Sequence, residues 1–230
     1  MFGQFDLDEI LRNLPYLMKV GMTFTLTLTA LVVVGGIVFG TLLAMMRLSS
    51  IKPVSIVATT YINLMRSVPL VLVIFWFYFL VPYIGAWITG ASQPVKVGAF
   101  LSSVITFTMF EAAYYAEIMR AGIQSVARGQ VSAGYALGLN YWQTMARIVL
   151  PQAFRNMLPI LLTQTIVMFQ DTSLVYVLSI TDFLGAASKV AERDGRLVEM
   201  YLFVALVYFV MCVAGSHAVR LLQRRIAIVH

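Results

Sequence analysis

Between Gly21 and Met46 the chain places no charged side chain. A helix rises about 1.5 Å per residue, so this run is long enough for the ~30 Å hydrocarbon core of a bilayer, which takes ~20 apolar residues to span. Lipid offers no hydrogen bonds to the backbone, so a helix that pairs its own N–H and C=O groups is the element such a run can form. Further runs at about 62–82, 97–119, 157–179 and 200–219 read the same way. The second is interrupted near its start by Arg66 and Pro69, and residues 51–65 before it suit an interfacial helix leading into a short span. Composition agrees: 60% of the residues are hydrophobic and 11% charged, too little polar surface to coat a water-soluble globule. The expectation is an all-α polytopic membrane protein of about five spans, forming one domain over 1–230. No repeat of 20–50 residues and no echo between the halves is visible, so the inverted repeats common among secondary transporters are not indicated.

The basic residues set the orientation. Arg47, Lys52 and Arg66, then Arg120, Arg128, Arg147 and Arg155, then Arg220, Arg224 and Arg225 fall on one side of the five spans. The other side mixes Lys96, Lys189, Arg193 and Arg196 with Asp182, Glu192, Asp194 and Glu199. The positive-inside rule then expects the N-terminus outside and the C-terminus inside. The net charge of +6 does not point to nucleic acid, because the cations do not cluster with stacking aromatics. The N-terminus carries Asp6, Asp8 and Glu9 where a cleavable signal would be basic, so the segment is expected to be retained. Cys212 stands alone in an apolar run, and the two histidines, His217 and His230, have no ligand pattern around them. A disulfide framework and a metal site are therefore not expected. Nor is there a Gly-x-Ser-x-Gly elbow or another nucleophile–base constellation that would argue for a membrane enzyme.

Residues 120–156 form a polar, Arg-bearing loop between the third and fourth spans, too long to lack structure or a role. "SVARGQVSAGYAL" has helical spacing, and Gly138 follows it where a helix end favours a left-handed residue. Asn140 suits the next N-cap, with Gln143 three residues on to complete a capping box. "YWQTMARIVL" then forms a second short helix that Pro151 stops or kinks. A helix–turn–helix elbow at the cytoplasmic face is expected.

At these residues the chain resembles a known family. Permease subunits of ABC importers carry an "EAA" loop: Glu-Ala-Ala, three residues, Gly, nine residues, Ile, one residue, Leu-Pro. Gly138, Ile148, Leu150 and Pro151 match it in order and spacing, while Ser132, Ala133 and Gly134 fill the Glu-Ala-Ala slot. A literal Glu-Ala-Ala at 111–113 lies inside the third span at the wrong spacing. The segments 61–78, 110–130, 150–159 and 171–179 resemble the polar amino-acid branch, and "WFYFLVP", "MFEAAYYAEI" and "AERDG" look most like its glutamate/aspartate permeases. The resemblance implies a type I permease fold in the bacterial inner membrane. It also implies a pair of ATPase subunits, a second permease chain (homologous or identical), a periplasmic amino-acid-binding protein and surrounding lipid. ATP and Mg would reside on the ATPase, since this chain has no Gly-x-x-x-x-Gly-Lys-[Ser/Thr] phosphate loop.

The elbow would then be the coupling helix. Gly138, Asn140 and Pro151 would stiffen it, and Ala133, Gly134 and Ala136 are small enough to let the ATPase approach. Ser132 offers a neutral hydrogen bond where the family has a carboxylate, about half as strong as a charge-assisted one; Arg128 and Arg147 are candidates to supply charge there. Within the spans, ionisable groups are costly and mark functional candidates. Asp171, followed by Thr172 and Ser173, reads as the N-cap of a half-helix after a break in the fourth span. Glu117 and Arg120 are one helical step apart and suit an ion pair. Glu111, Tyr115 and the neighbouring Tyr114, with Arg66 and Arg120 near the inner ends of their spans, are candidates for the translocation path, as is Asp171 beside its capping reading. The alternative is a stand-alone ion- or proton-coupled carrier using Glu111 and Asp171 as its relay.

Overall fold

The computed structural model describes residues 6–226; His230 lies outside them. Asp6 starts α1 (Leu7–Tyr16) by accepting from the Asp8 amide at 2.9 Å, with Asp8 and Glu9 in the first turn, where carboxylates oppose the positive end of the helix dipole. Pro15 removes a donor near the end of this helix, and the chain winds on through a π-helical segment, Leu17–Met22, into α2 (Thr23–Arg47). The first apolar run is thus one helical rod that begins earlier than its hydropathy suggested.

The second expected span divides in two. Helix α3 (Lys52–Ser67) ends before Val68 and Pro69, which hold extended backbone, and α4 (Leu70–Thr89) begins after them. A residue preceding proline is pushed out of the helical region, so Pro69 moves the start of the apolar helix from 62 to 70. Helix α4 carries Pro82 internally and ends at Gly90 in the left-handed region.

Helix α5 (Ala99–Gln124) is the centre of the molecule, with Thr106, Phe107, Phe110, Glu111, Ala112, Ala113, Tyr115 and Ala116 buried along it. Helix α2 lies against α5 at close range because it presents glycine there. A Cβ on Gly36 would stand 2.7 Å from the Tyr115 ring, and one on Gly40 would stand 3.0 Å from the Ala112 carbonyl. Small residues four apart let two backbones meet this way in lipid, where helix association rests on packing rather than on hydrophobic burial.

After α6 (Arg128–Ala136) and α7 (Tyr141–Thr144), a π-helical segment, Met145–Val149, leads into α8 (Leu150–Asp171) and a 3-10 segment, Thr172–Leu178. Helix α9 (Phe183–Asp194) is capped by the buried Asp182 side chain, which accepts from Leu184 and Gly185. Helix α10 (Leu197–Ile226) closes the described chain.

Among the described residues, four helical stretches are long and apolar enough to cross a membrane: Leu7–Arg47, Leu70–Thr89, Tyr141–Leu178 and Leu197–Ile226. The expected third span, now α5, is long enough but carries Ser102, Ser103, Thr106, Thr108, Glu111 and Glu117. Ser102, Ser103, Thr106, Thr108 and Glu111 are buried and Glu117 is paired with Arg47 and Arg120, which is how the helix can carry them.

Candidate functional site

The elbow forms as the local sequence dictates. At the end of α6 the Leu139 amide donates to the Gly134 carbonyl at 3.1 Å and the Gly138 amide to Tyr135 at 3.0 Å. That pair of bonds is a Schellman motif, and Gly138 takes the left-handed φ of +77° that it requires. Asn140 then accepts from the Gln143 amide at 2.9 Å while the Gln143 side chain accepts from the Asn140 amide at 3.0 Å. Two of the orphan donors at the start of the new helix are satisfied this way, so the turn is fixed from both sides.

Two features differ from the sequence reading. Pro151 does not stop the second short helix: α7, the Met145–Val149 segment and α8 run on as one rod. The π turn just before Pro151 relieves the backbone where the proline lacks an N–H, and Pro151 sits in the first turn of α8, where none is needed. Gly134, expected to admit a partner, is buried against the elbow itself. A Cβ there would lie 2.8 Å from Ile148 and 3.1 Å from Thr144. Its small size therefore closes the angle between α6 and the Met145–Val149 segment.

Beneath the elbow, Val126, Val149 and Ala153 form a small core with Ile123, Val131 and Met145, and Asn156 donates to Ser125 at 2.8 Å. Facing outward are Arg128, Ser132, Ala133 and Arg147, all exposed, together with Tyr135, Leu150, Leu137 and Trp142. Leu137 is 79% exposed and Trp142 78%. Large apolar side chains this exposed form an apolar patch on the surface of the elbow, which also carries the exposed Arg128 and Arg147. Sequence reasoning missed Leu137 and Trp142, because helical periodicity alone does not say which apolar residues lack a partner.

The second region is a cleft of about 390 Å³ lined by Arg66, Ser67, Val68, Pro69 and Leu70 at the α3–α4 joint, Phe110 and Tyr114 on α5, and Gln164, Val167 and Asp171 on α8. The Arg66 guanidinium stands over the Tyr114 ring, 5.5 Å from its centroid. Gln164, Val167 and Asp171 share one face of α8, being three, four and seven residues apart. Asp171 caps nothing: its backbone is helical and its side chain makes no capping bond, so its carboxylate remains on the cleft wall. The rod does change from α to 3-10 winding directly after it.

Glu111 lies behind this wall, fully buried, with Gln164 donating to both of its carboxylate oxygens at 3.1 and 3.3 Å. Tyr115, expected on the path, is instead buried against Gly36 and Gly40, and its hydroxyl meets Thr165 Oγ1 at 3.2 Å. Arg120 pairs with Glu117 as the spacing implied, and also bonds Gln124. Glu117 receives a second cation, Arg47 from the end of α2. Neither Arg120 nor Arg47 lines the cleft.

Apolar helices thus surround a cleft carrying Arg66, Gln164 and Asp171, and a capped elbow starts the helical run that reaches it. The chain belongs to the family of binding-protein-dependent transport system inner membrane components, whose model matches residues 36–228. It is 54% identical over 224 residues to the glutamate/aspartate import permease protein GltK of Escherichia coli O157:H7, covering 97% of this chain and 99% of that one. It is 32% identical to the glutamine transport system permease protein GlnP of Escherichia coli strain K12, over 98% and 99% of the two chains. Among solved structures, an amino acid ABC transporter determined with histidines superposes with a TM-score of 0.85 at 34% identity, covering 96% of this chain and 99% of that chain. The chain is thus a permease subunit of the ABC importer kind.

Proposed function

We propose that this subunit forms half of the path by which an ATP-driven importer moves acidic amino acids, glutamate and aspartate, across the inner membrane. The observation that carries the reading is mechanical. The helical run that begins in the capped elbow at Tyr141 reaches the cleft wall at Asp171, wound through the Met145–Val149 π segment and past Pro159, so elbow and cleft belong to one continuous helical run. The substrate class follows from the near-full-length likeness to a glutamate/aspartate import permease.

In this reading the N-terminus is periplasmic and the elbow cytoplasmic. Leu137 and Trp142, flanked by Arg128 and Arg147, seat in a groove of the ATPase, which holds ATP and Mg. Ser132 adds a neutral hydrogen bond there. A second permease chain faces the cleft, and a periplasmic binding protein delivers the substrate. Within the cleft, Arg66 offers a cation to a carboxylate and Asp171 offers an anion to the α-ammonium, the two charges every amino acid carries. Glu111 acts by holding Gln164 in place, and Tyr115 by setting the α2–α5 contact.

Co-purification tests this. The neighbouring ATPase, co-expressed, should remain bound to the wild-type chain through affinity purification, and Trp142→Ala with Leu137→Ala should release it while the permease stays folded. Retention of the ATPase by that double variant would remove the elbow from the interface.

A further inference from the structure

Gln164 stands between the buried Glu111 and the cleft. Its side-chain amide has two unlike ends, a donor and an acceptor. Both Glu111 oxygens accept from Gln164 Nε2, at 3.1 and 3.3 Å, so the donor end is engaged behind the wall. The carbonyl end, Oε1, bonds to no described residue, yet it is not one of the buried polar atoms without a partner. It is an accessible oxygen on a side chain that lines the cleft. The amide therefore shows the cleft an acceptor.

Glu111 decides this orientation. A carboxylate has acceptors only, and Glu111 is fully buried. Among the described residues no other hydrogen bond and no ion pair compensates it. Turning the amide end for end would set oxygen against oxygen and leave a buried charged group without its donor, the costliest kind of unmade hydrogen bond. Seven residues along the same face of α8, Asp171 adds a second acceptor. The donor side of the cleft is Arg66 at the α3–α4 joint, and among the described residues neither Arg66 nor Asp171 forms an ion pair. Acceptors thus line α8 and a cation faces them.

Resting on the acidic amino-acid reading above, we infer that Gln164 binds the substrate's α-ammonium through Oε1. Glu111 is then a positioning residue: it never touches substrate, but it fixes which end of the Gln164 amide the substrate meets. The consequence is selection. A dicarboxylate without an ammonium meets an oxygen at the place where it needs a donor.

The test compares L-glutamate with glutarate, the same dicarboxylate lacking the ammonium, by calorimetric titration of the intact importer complex in detergent, without its binding protein. Wild type should bind glutamate about tenfold more tightly, the worth of one hydrogen bond to a charged group. Glu111→Gln gives Gln164 a partner in either orientation and so releases the amide. Glutamate binding should weaken about twofold, the effect of halving the competent orientation. Glutarate should bind about tenfold more tightly, as Nε2 turns to the cleft. Gln164→Met should weaken glutamate about tenfold and leave glutarate unchanged; should it fail to fold, Glu111→Gln decides. A purely structural Glu111–Gln164 pair would move both ligands together. That outcome overturns the inference, as does unchanged glutarate binding in Glu111→Gln, equal binding of the two ligands by wild type, or no glutamate binding by wild type. Binding-protein-stimulated ATPase activity of the wild-type complex reports the importer reading by itself, so the two fail separately.

Discussion

Gly138 offers the most direct probe of whether the elbow must be rigid. At φ of +77° an L-residue sets its Cβ against the neighbouring carbonyl, at a cost of roughly 1–2 kcal/mol, and a β-branched residue falls at the upper end. Space adds nothing to this, because a Cβ at Gly138 meets no atom within 4 Å. The penalty is purely one of backbone, and it bears on the two Schellman bonds that fix the turn. A cost of 1–2 kcal/mol lowers the population of the native turn relative to alternatives by a factor of about 5–30. Asparagine tolerates the left-handed region far better, so Gly138→Asn and Gly138→Val differ in backbone strain at one exposed position. Both should insert and fold, since the site lies outside the buried helices. The assay is ATP-driven uptake together with binding-protein-stimulated ATPase activity in liposomes. Gly138→Asn should stay within about twofold of wild type, and Gly138→Val should lose most uptake. Equal uptake by the two variants would refute the claim that the turn transmits force.

Other perturbations probe the remaining parts of the account. Glu111→Gln should keep a partner for Gln164 and preserve the thermal midpoint in detergent, whereas Glu111→Ala should lower it, since leaving a buried polar group unpaired costs about 1–3 kcal/mol of stability; equal midpoints would mean the pair is not structural. Gly40→Leu should block the α2–α5 approach and abolish folded complex, because the backbone of Ala112 and Ala116 lies within 3.1 Å of the new Cβ; a monodisperse, active complex would contradict that packing. Asp171→Asn should weaken uptake while leaving assembly intact, since the carboxylate caps no helix; a loss of folded protein would restore a structural role. New cysteines at the exposed positions Gln93 and Lys189 in a Cys212→Ser background should react with an impermeant reagent from outside while Gln130 is protected, and outside labelling of Gln130 would invert the topology.

What the sequence made legible was what local rules determine. Gly138, Asn140 and Gln143 act through neighbours three to five residues away, so the elbow is legible from local sequence. The apolar run from Gly21 to Met46 was equally plain. Contacts between distant segments were not. Arg47 reaches Glu117 across seventy residues, and Gly134 owes its burial to Ile148 and Thr144, which no periodicity within α6 reveals. Asp171 misled because Asp-Thr-Ser is an N-cap pattern, yet α8 arrives already helical and leaves the carboxylate free for the cleft. For span two, the break at Arg66 and Pro69 and the separate helix before it were legible, and only the start of the apolar helix differed, at Leu70 rather than 62. Tyr115 was placed on the path by chemistry alone, although its fate was set by Gly36 and Gly40 on another helix.

The central claim is that this chain works only when an ATPase moves its elbow. Glutamate uptake into proteoliposomes containing the purified complex and its binding protein, with ATP supplied or withheld and with or without an imposed ion gradient, tests it most directly. The account predicts uptake that requires ATP and the binding protein and ignores the gradient. Uptake driven by the gradient without ATP would contradict it and make Glu111 and Asp171 the relay of a stand-alone carrier.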